Sequence, residues 1–270
     1  MLSQYWNKLK WLTSGPSRTA RKSPQKSPFS NVFSLEIPLE PDLEKGWKPY
    51  PIFKRFLKGK YSLKAHASVL VPGCCPHPPH KHNEEEILIM LAGEAELLLP
   101  ENGHANPEGR RRVKTGDFVY YPAGFPHSIE AAGTVPTNYL MFKWSAEPVN
   151  NAEPLDHLYF KEILSLPVGY SEEKLSRLRL FGGPTALLHK LHCHLSYLPP
   201  GKGYPAHHDP YDVAIVVLEG EVETLNAIAK PHDVILYAAG ELHGMHNPGQ
   251  AVAKYLVFEF HFDKSIRRKK

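Results

Sequence analysis

Gly73-Cys-Cys-Pro-His-Pro-Pro-His80-Lys-His82-Asn-Glu-Glu-Glu86-Ile-Leu-Ile-Met-Leu-Ala-Gly93 is the stretch on which the reading of this 270-residue chain turns. His80 and His82 are two residues apart, so on extended backbone both imidazoles project from one face. Glu86 keeps the same parity, which lets a carboxylate join them if the strand continues or bends gently. Downstream, Gly116-Asp-Phe-Val-Tyr-Tyr-Pro122-Ala-Gly124-Phe-Pro-His127 reads as a second strand whose closing turn delivers one more imidazole. Three imidazoles and one carboxylate make a mixed N/O donor set that suits a divalent transition metal and leaves positions open for substrate or dioxygen. His80, His82, Glu86 and His127 are therefore the expected metal ligands.

These two runs carry a family resemblance. Gly73, six residues, His80-x-His82, three residues, Glu86, six residues and Gly93 resemble the first motif of the cupins. Gly116, five residues, Pro122-x-Gly124, two residues and His127 resemble the second. Ala131 stands where the second motif usually carries Asn, a residue that is not a metal ligand. The resemblance implies a jelly-roll barrel, or double-stranded β-helix. It also implies a metal held by the four residues, with Fe(II) favoured and Mn, Ni, Zn or Cu compatible.

The pattern then repeats. His66-Ala-Ser-Val-Leu-Val-Pro-Gly73 returns as His194-Leu-Ser-Tyr-Leu-Pro-Pro-Gly201, and Gly124-Phe-Pro-His127 as Gly240-Glu-Leu-His243. Tyr139-Leu-Met-Phe-Lys-Trp144 matches Tyr255-Leu-Val-Phe-Glu-Phe260, and in each copy the tyrosine follows the histidine by twelve residues. The chain thus resembles a bicupin over about residues 60–144 and 188–262. In the second copy His207, Asp209 and Val213 take the places of His80, His82 and Glu86. With His243, that leaves a weakened two-His-one-carboxylate set and predicts a largely structural second barrel.

The expected organisation is a basic tail over 1–30, a first barrel over 31–150, a bridge over 151–187, a second barrel over 188–263 and a basic tail over 264–270. Leu155–Leu164 and Ser171–Leu180 show helical spacing, with Ser171 as N-cap, so the bridge is expected to be helical. Pro100–Arg112 reads as a polar hairpin tip, and the prolines between 38 and 51 suggest irregular or edge strands. The fold class expected is mainly β, two duplicated barrels and a short helical bridge.

Composition narrows the function. Residues 1–30 and 264–270 carry eleven Lys and Arg and no acids, so removing that +11 from the net +4 leaves the body at −7. The basicity belongs to tails, which argues against a nucleic-acid-binding face. No apolar run is long enough to cross a bilayer, and three cysteines are too few for a disulfide framework, which points to a cytoplasmic protein without a membrane partner. The site favours a metal-dependent enzyme, a dioxygenase-like oxidoreductase acting on a small polar molecule. Cupins with three His and one Glu include oxalate-converting enzymes and quercetinase-like dioxygenases. A non-catalytic cupin that holds a small ligand or sugar, or a metal-dependent isomerase or lyase, is the alternative. His66 is a candidate general base, and a homodimer is a further expectation.

Overall fold

The computed structural model of the protein describes residues 29–57, 61–99, 109–150, 153–166 and 171–262. The strands of the first half are β1 (Asn31–Phe33), β2 (Trp47–Leu57), β3 (Tyr61–Leu70), β4 (Glu85–Ala92), β5 (Glu94–Leu98) and β6 (Arg110–Lys114). They continue with β7 (Phe118–Tyr121), β8 (Ser128–Ala131), β9 (Thr137–Ser145) and β10 (Leu158–Phe160). The second half comprises β11 (Ser176–Gly183), β12 (Lys190–Leu198), β13 (Gly203–His208), β14 (Asp212–Glu219) and β15 (Val222–Thr224). It ends with β16 (Ala227–Ala229), β17 (Val234–Tyr237), β18 (Leu242–His246) and β19 (Ala253–His261). Each half makes one barrel from a six-stranded and a smaller antiparallel sheet. The first has the orders β10-β7-β4-β9-β3-β2 and β6-β5-β8. The second has the orders β1-β17-β14-β19-β12-β11 and β13-β18-β15-β16. The expected pair of β-barrels is what the structure contains.

Period-two alternation decides what each face does. On β4, Leu88 and Met90 turn into the first barrel, while Ile87, Ile89 and Leu91 turn outward. Those outward residues are still buried, because the two large sheets pack back to back in one shared apolar layer. Phe142 and Phe118 meet Phe258 there at 5.8 and 5.9 Å between ring centroids, and Trp144 meets Phe260 at 5.2 Å. A fully buried Leu, Ile or Phe stabilises by roughly 2 kcal/mol, so this layer binds the barrels together strongly. The motif glycines have a steric role at the hairpin corners. Gly93 has φ +78° and Gly220 has φ +69°, and a Cβ would come within 2.9 Å of Pro136 O at the first and 2.6 Å of Val252 O at the second.

Two buried acids lock the layer. Glu85 accepts from Trp144 Nε1 at 2.8 Å and Thr185 Oγ1 at 2.7 Å, which fastens the connecting segment to the first barrel. Asp212, in the equivalent place of the second barrel, accepts from Arg55 Nε of β2 at 3.0 Å and from Ala239 N at 2.7 Å. Arg55 is 7% exposed and Asp212 1%, so this is a buried ion pair between the halves.

The structure differs from the sequence expectations in four places. The bridge is not helical among its described residues: β10 and β11 are strands, and only Ile163–Ser165 forms a 3₁₀ turn. The reason lies in Ser176-Arg-Leu-Arg-Leu-Phe181, which also alternates with period two. Leu178 and Leu180 pack on the shared core while Arg177 and Arg179 face away, and pairing with β12 satisfies the backbone. Second, the grouping of 31–150 breaks at its start, because β1 pairs with β17 of the other barrel. Third, the tail does not extend to residue 30: buried Ser30 receives a hydrogen bond from Ala238 N at 2.9 Å and contacts Glu241. The remainder of both tails, residues 1–28 and 264–270, lies outside the described residues. Fourth, Arg110–Arg112 is strand and not loop tip, with Arg110 paired to Glu96 and Glu130 and Arg112 to Glu94. The Pro-containing β2 is an edge strand, as its missing N–H donors require.

Candidate metal centre

Glu86 is the second residue of β4, and the barrel interior receives its carboxylate. His80 lies just before β4 and forms a lone backbone bridge with His127, which stands at the entrance to β8. His80 N donates to His127 O at 3.1 Å and His127 N to His80 O at 3.0 Å, so backbone pairing holds the two imidazoles side by side. Nitrogens of His80, His82 and His127 all lie within 4.8 Å of one another. Glu86 Oε1 is 2.7 Å from His127 Nε2, and Oε2 is 3.3 Å from His82 Nε2. The structure therefore brings all four sequence-identified residues together.

The orientation of each ring follows from its other nitrogen. Nδ1 of His80, His82 and His127 lies 3.3, 3.0 and 2.8 Å from the carbonyls of Pro78, Glu84 and Phe125. A carbonyl only accepts, so Nδ1 carries the proton in each ring and Nε2 presents a lone pair. His127 Nε2 and Glu86 Oε1 are then two acceptors facing one another at 2.7 Å. A cation or a proton between them removes the repulsion. Glu86 is 1% exposed, and neither of its oxygens makes a contact with hydrogen-bond geometry despite those short distances. Burial alone would raise its pKa, but His127 and His82, whenever a second proton sits on Nε2, together with Lys143 hold it well below the usual carboxylate range. An ionised buried carboxylate beside three outward lone pairs fits a divalent metal.

Lys143 is the site residue that the motif reading missed. Its Nζ sits 3.0 Å from Glu86 Oε2 and 2.9 Å from His82 Nε2. The available signal was a charged residue at an inward position of the apolar strand Tyr139–Trp144, directly across from Glu86. The cavity here has a volume of about 380 Å³ and is lined by Lys64, His66, Tyr121, Tyr139 and Met141 beside the cluster. Burial lowers His66 to about 4, so it is neutral at pH 7. Tyr121 stacks on His127 at 4.3 Å and 13°.

In the second barrel His207, Asp209 and His243 also come within 4.8 Å of one another. Their Nδ1–carbonyl pattern is kept, with His207 on Pro205 O at 3.1 Å and His243 on Glu241 O at 3.0 Å. Asp209 Oδ2 lies 3.5 Å from His207 Nε2 and 3.3 Å from His243 Nε2. Val213 offers no donor, so the fourth member is lost.

Comparisons with known proteins agree with this fold. Residues 66–143 match the family of cupin domains. A 67-residue segment is 43% identical to the dimethylsulfoniopropionate lyase DddQ of Ruegeria pomeroyi; the match spans 25% of this chain and 30% of that enzyme's length. Among solved structures, the oxalate decarboxylase of Lactobacillus farciminis superposes with a TM-score of 0.62 at 16% identity, over 90% of this chain and 89% of that one. A cupin 2 conserved barrel domain protein of Leptotrichia buccalis gives 0.54 at 14% identity, over 79% and 88%. The segment 66–143 is thus a cupin domain, and the whole chain shares its two-barrel fold with the oxalate decarboxylase. Among the described residues, no helix is long and apolar enough to cross a membrane.

Proposed function

We propose that the first barrel is a metal-dependent catalytic centre for a small carboxylate, with His80, His82, Glu86 and His127 holding the metal. The observation that supports this most is the 2.7 Å approach of His127 Nε2 and Glu86 Oε1, which a cation or a proton between them would relieve and which a divalent ion suits together with the other two imidazoles. Fe(II) is favoured, and Mn, Ni, Zn and Cu suit the same donors. A divalent ion there supplies a Lewis acid for a bound carboxylate or carbonyl oxygen.

The chain's own groups suggest the substrate. Lys64, paired with Glu84 at 2.9 Å, and Lys143, paired with Glu86 at 3.0 Å, line the cavity of about 380 Å³, and with a divalent ion beside Glu86 the wall would favour an anion of a few heavy atoms. Leu88, Ile129 and Met141 supply the apolar part of the lining. Neutral His66 can accept a proton at an imidazole nitrogen. Bond cleavage without net oxidation, of lyase or decarboxylase type, accords with the resemblance to a lyase in sequence and to a decarboxylase in fold. The dioxygenase expected from the ligand set is the alternative, and a cupin that binds a small ligand without turnover is a third reading.

One assay separates these readings. Full-length protein purified without oxygen is analysed for metal, then screened against short carboxylic acids by NMR with an oxygen electrode in parallel. Metal-dependent loss of substrate with no oxygen uptake is expected, and His82→Ala should abolish it. Oxygen uptake matching substrate loss would replace the lyase reading with the dioxygenase. Saturable binding without turnover would leave a binding protein.

A further inference from the structure

The second barrel encloses the larger cavity, of about 680 Å³, and its wall carries charged groups that the duplicated motif does not use. His192 and His194 lie two apart on β12 and turn into it. Glu259 on the neighbouring β19 is the direct cross-strand partner of His192. One nitrogen from each histidine and one Glu259 oxygen all lie within 4.8 Å of one another.

Comparison of the two barrels at equivalent rungs shows that this cluster replaces another. In the first barrel Glu86 faces Lys143 across β4 and β9, and Lys143 faces Lys64 across β9 and β3. In the second barrel the same two rungs read Val213 facing Glu259 and Glu259 facing His192. The carboxylate has crossed to the adjacent strand, into the place of an ammonium. The lysine beside it has become an imidazole, while His66 is matched by His194. Loss of Glu86's counterpart and loss of Lys143's counterpart are thus one complementary exchange.

The local structure treats the cluster as a site. Nδ1 of His192 and Nδ1 of His194 are buried without a hydrogen-bond partner, and His194 is only 8% exposed. Interior histidines that serve packing alone are normally hydrogen-bonded. His261 Nε2 lies 3.1 Å from Glu259 Oε2 and fixes the carboxylate, with Lys190 more distant at 3.8 Å on the solvent side. Gly182 leaves the space beside His192 open: a Cβ there would stand 2.8 Å from His192 Nδ1.

We propose that the second barrel binds a divalent transition metal through His192, His194 and Glu259, one strand across from the position used in the first. Two imidazoles and one carboxylate with an open fourth position suit Zn(II) or Co(II). Arg177 and Arg179 line the same cavity, so the open position favours an anionic ligand. The site is separate from His207, Asp209 and His243, and it does not depend on the function assigned to the first barrel.

The test uses the full chain, stripped with chelator and titrated with Co(II) while the visible spectrum and bound equivalents are followed. Glu259→Gln should lose one equivalent that Asp209→Asn and Glu86→Gln both retain, with thermal melts confirming that each variant is folded. Loss of that equivalent from Asp209→Asn but not from Glu259→Gln, or an unchanged titration of Glu259→Gln, would overturn the proposal. Wild-type crystals soaked in Zn(II) give a check independent of any variant. An anomalous peak at about 2.0–2.2 Å from His192, His194 and Glu259 supports the site, and no peak there refutes it. Loss of metal from Glu86→Gln alone bears on the first barrel and leaves this inference untouched.

Discussion

The two barrels share a scaffold and differ in their donors. Both stack a tyrosine on the histidine of the second motif, Tyr121 on His127 at 4.3 Å and Tyr237 on His243 at 4.0 Å, each at 13°. Both fix that histidine by Nδ1 on a backbone carbonyl two residues earlier. What changes is the carboxylate, which is Glu86 in one and is divided between Asp209 and Glu259 in the other. Backbone geometry aims the imidazoles, so it survives duplication. The acidic donor depends on side-chain identity alone, so one substitution removes it and another can restore it elsewhere.

The comparison can be broken most directly through the metal. His82→Ala should weaken metal binding in the first barrel by more than about 100-fold, since even groups that only orient ligands cost 10- to 100-fold. His243→Ala should leave that metal in place. Elemental analysis of the two variants decides, and equal loss from both would mean that the barrels are not independent.

Next in size is the pair of buried acids. Arg55→Met leaves Asp212 buried without its counter-charge, with only Ala239 N still donating to it, so it should cost about 3–5 kcal/mol in denaturant unfolding. Thr185→Val removes one of several donors to Glu85 and should cost about 1–3 kcal/mol. Equal costs would show that the two locks are less different than their partners suggest.

Acid stability sharpens the comparison on the first barrel's side. His157 stacks on Phe125 at 4.7 Å and 7°, and burial lowers it to about 4 from 6.5. The folded state keeps it neutral while the unfolded chain protonates below pH 6.5. Its contribution is therefore fully present above pH 6.5 and is lost as pH falls toward 4. Allowing for its partial exposure, that amounts to about 2 kcal/mol. His157→Gln should flatten the pH dependence of unfolding in that window, and an unaltered slope would show that it titrates normally.

The smallest effect concerns the stacked tyrosines. Thr224 Oγ1 donates to Gly244 O at 2.7 Å, so the Tyr237 hydroxyl donates to Thr224 at 2.6 Å. The Tyr121 hydroxyl is buried without a partner. Tyr237→Phe should cost about 1 kcal/mol and Tyr121→Phe close to nothing, by thermal melts. A reversed order would mean that Tyr121 has a partner that Tyr237 lacks.

Local pattern made the barrels and the first cluster legible in the sequence. His80, His82 and Glu86 share parity on one strand, and the repeat supplied the second barrel. Lys143 was hidden because its role is set by a cross-strand partner 57 positions earlier, Glu86, and motif spacing does not report pairing. The bridge misled because Leu175, Leu178 and Phe181 satisfy a helical stripe while Leu178 and Leu180 satisfy a strand. Only the open edge of β12 chose between them. The exchange between Lys143 and Glu259 was visible as two aligned letters, but its meaning needed the rung that places each beside its neighbours.

The pairing of β1 with β17 also sets the order of events during synthesis. Asn31 leaves the ribosome some 205 residues before Leu236, its partner, an interval on the order of ten to forty seconds at ordinary elongation rates. The strands of the first barrel are all available once β10 has emerged, long before that. Its outward face, with Phe118, Phe142 and Trp144, must then wait for the second sheet that covers it. The nascent chain thus carries a finished barrel with a bare apolar back and an early strand without its mate. That interval is when chaperones would find the most to hold, and when a second nascent copy could offer the wrong sheet.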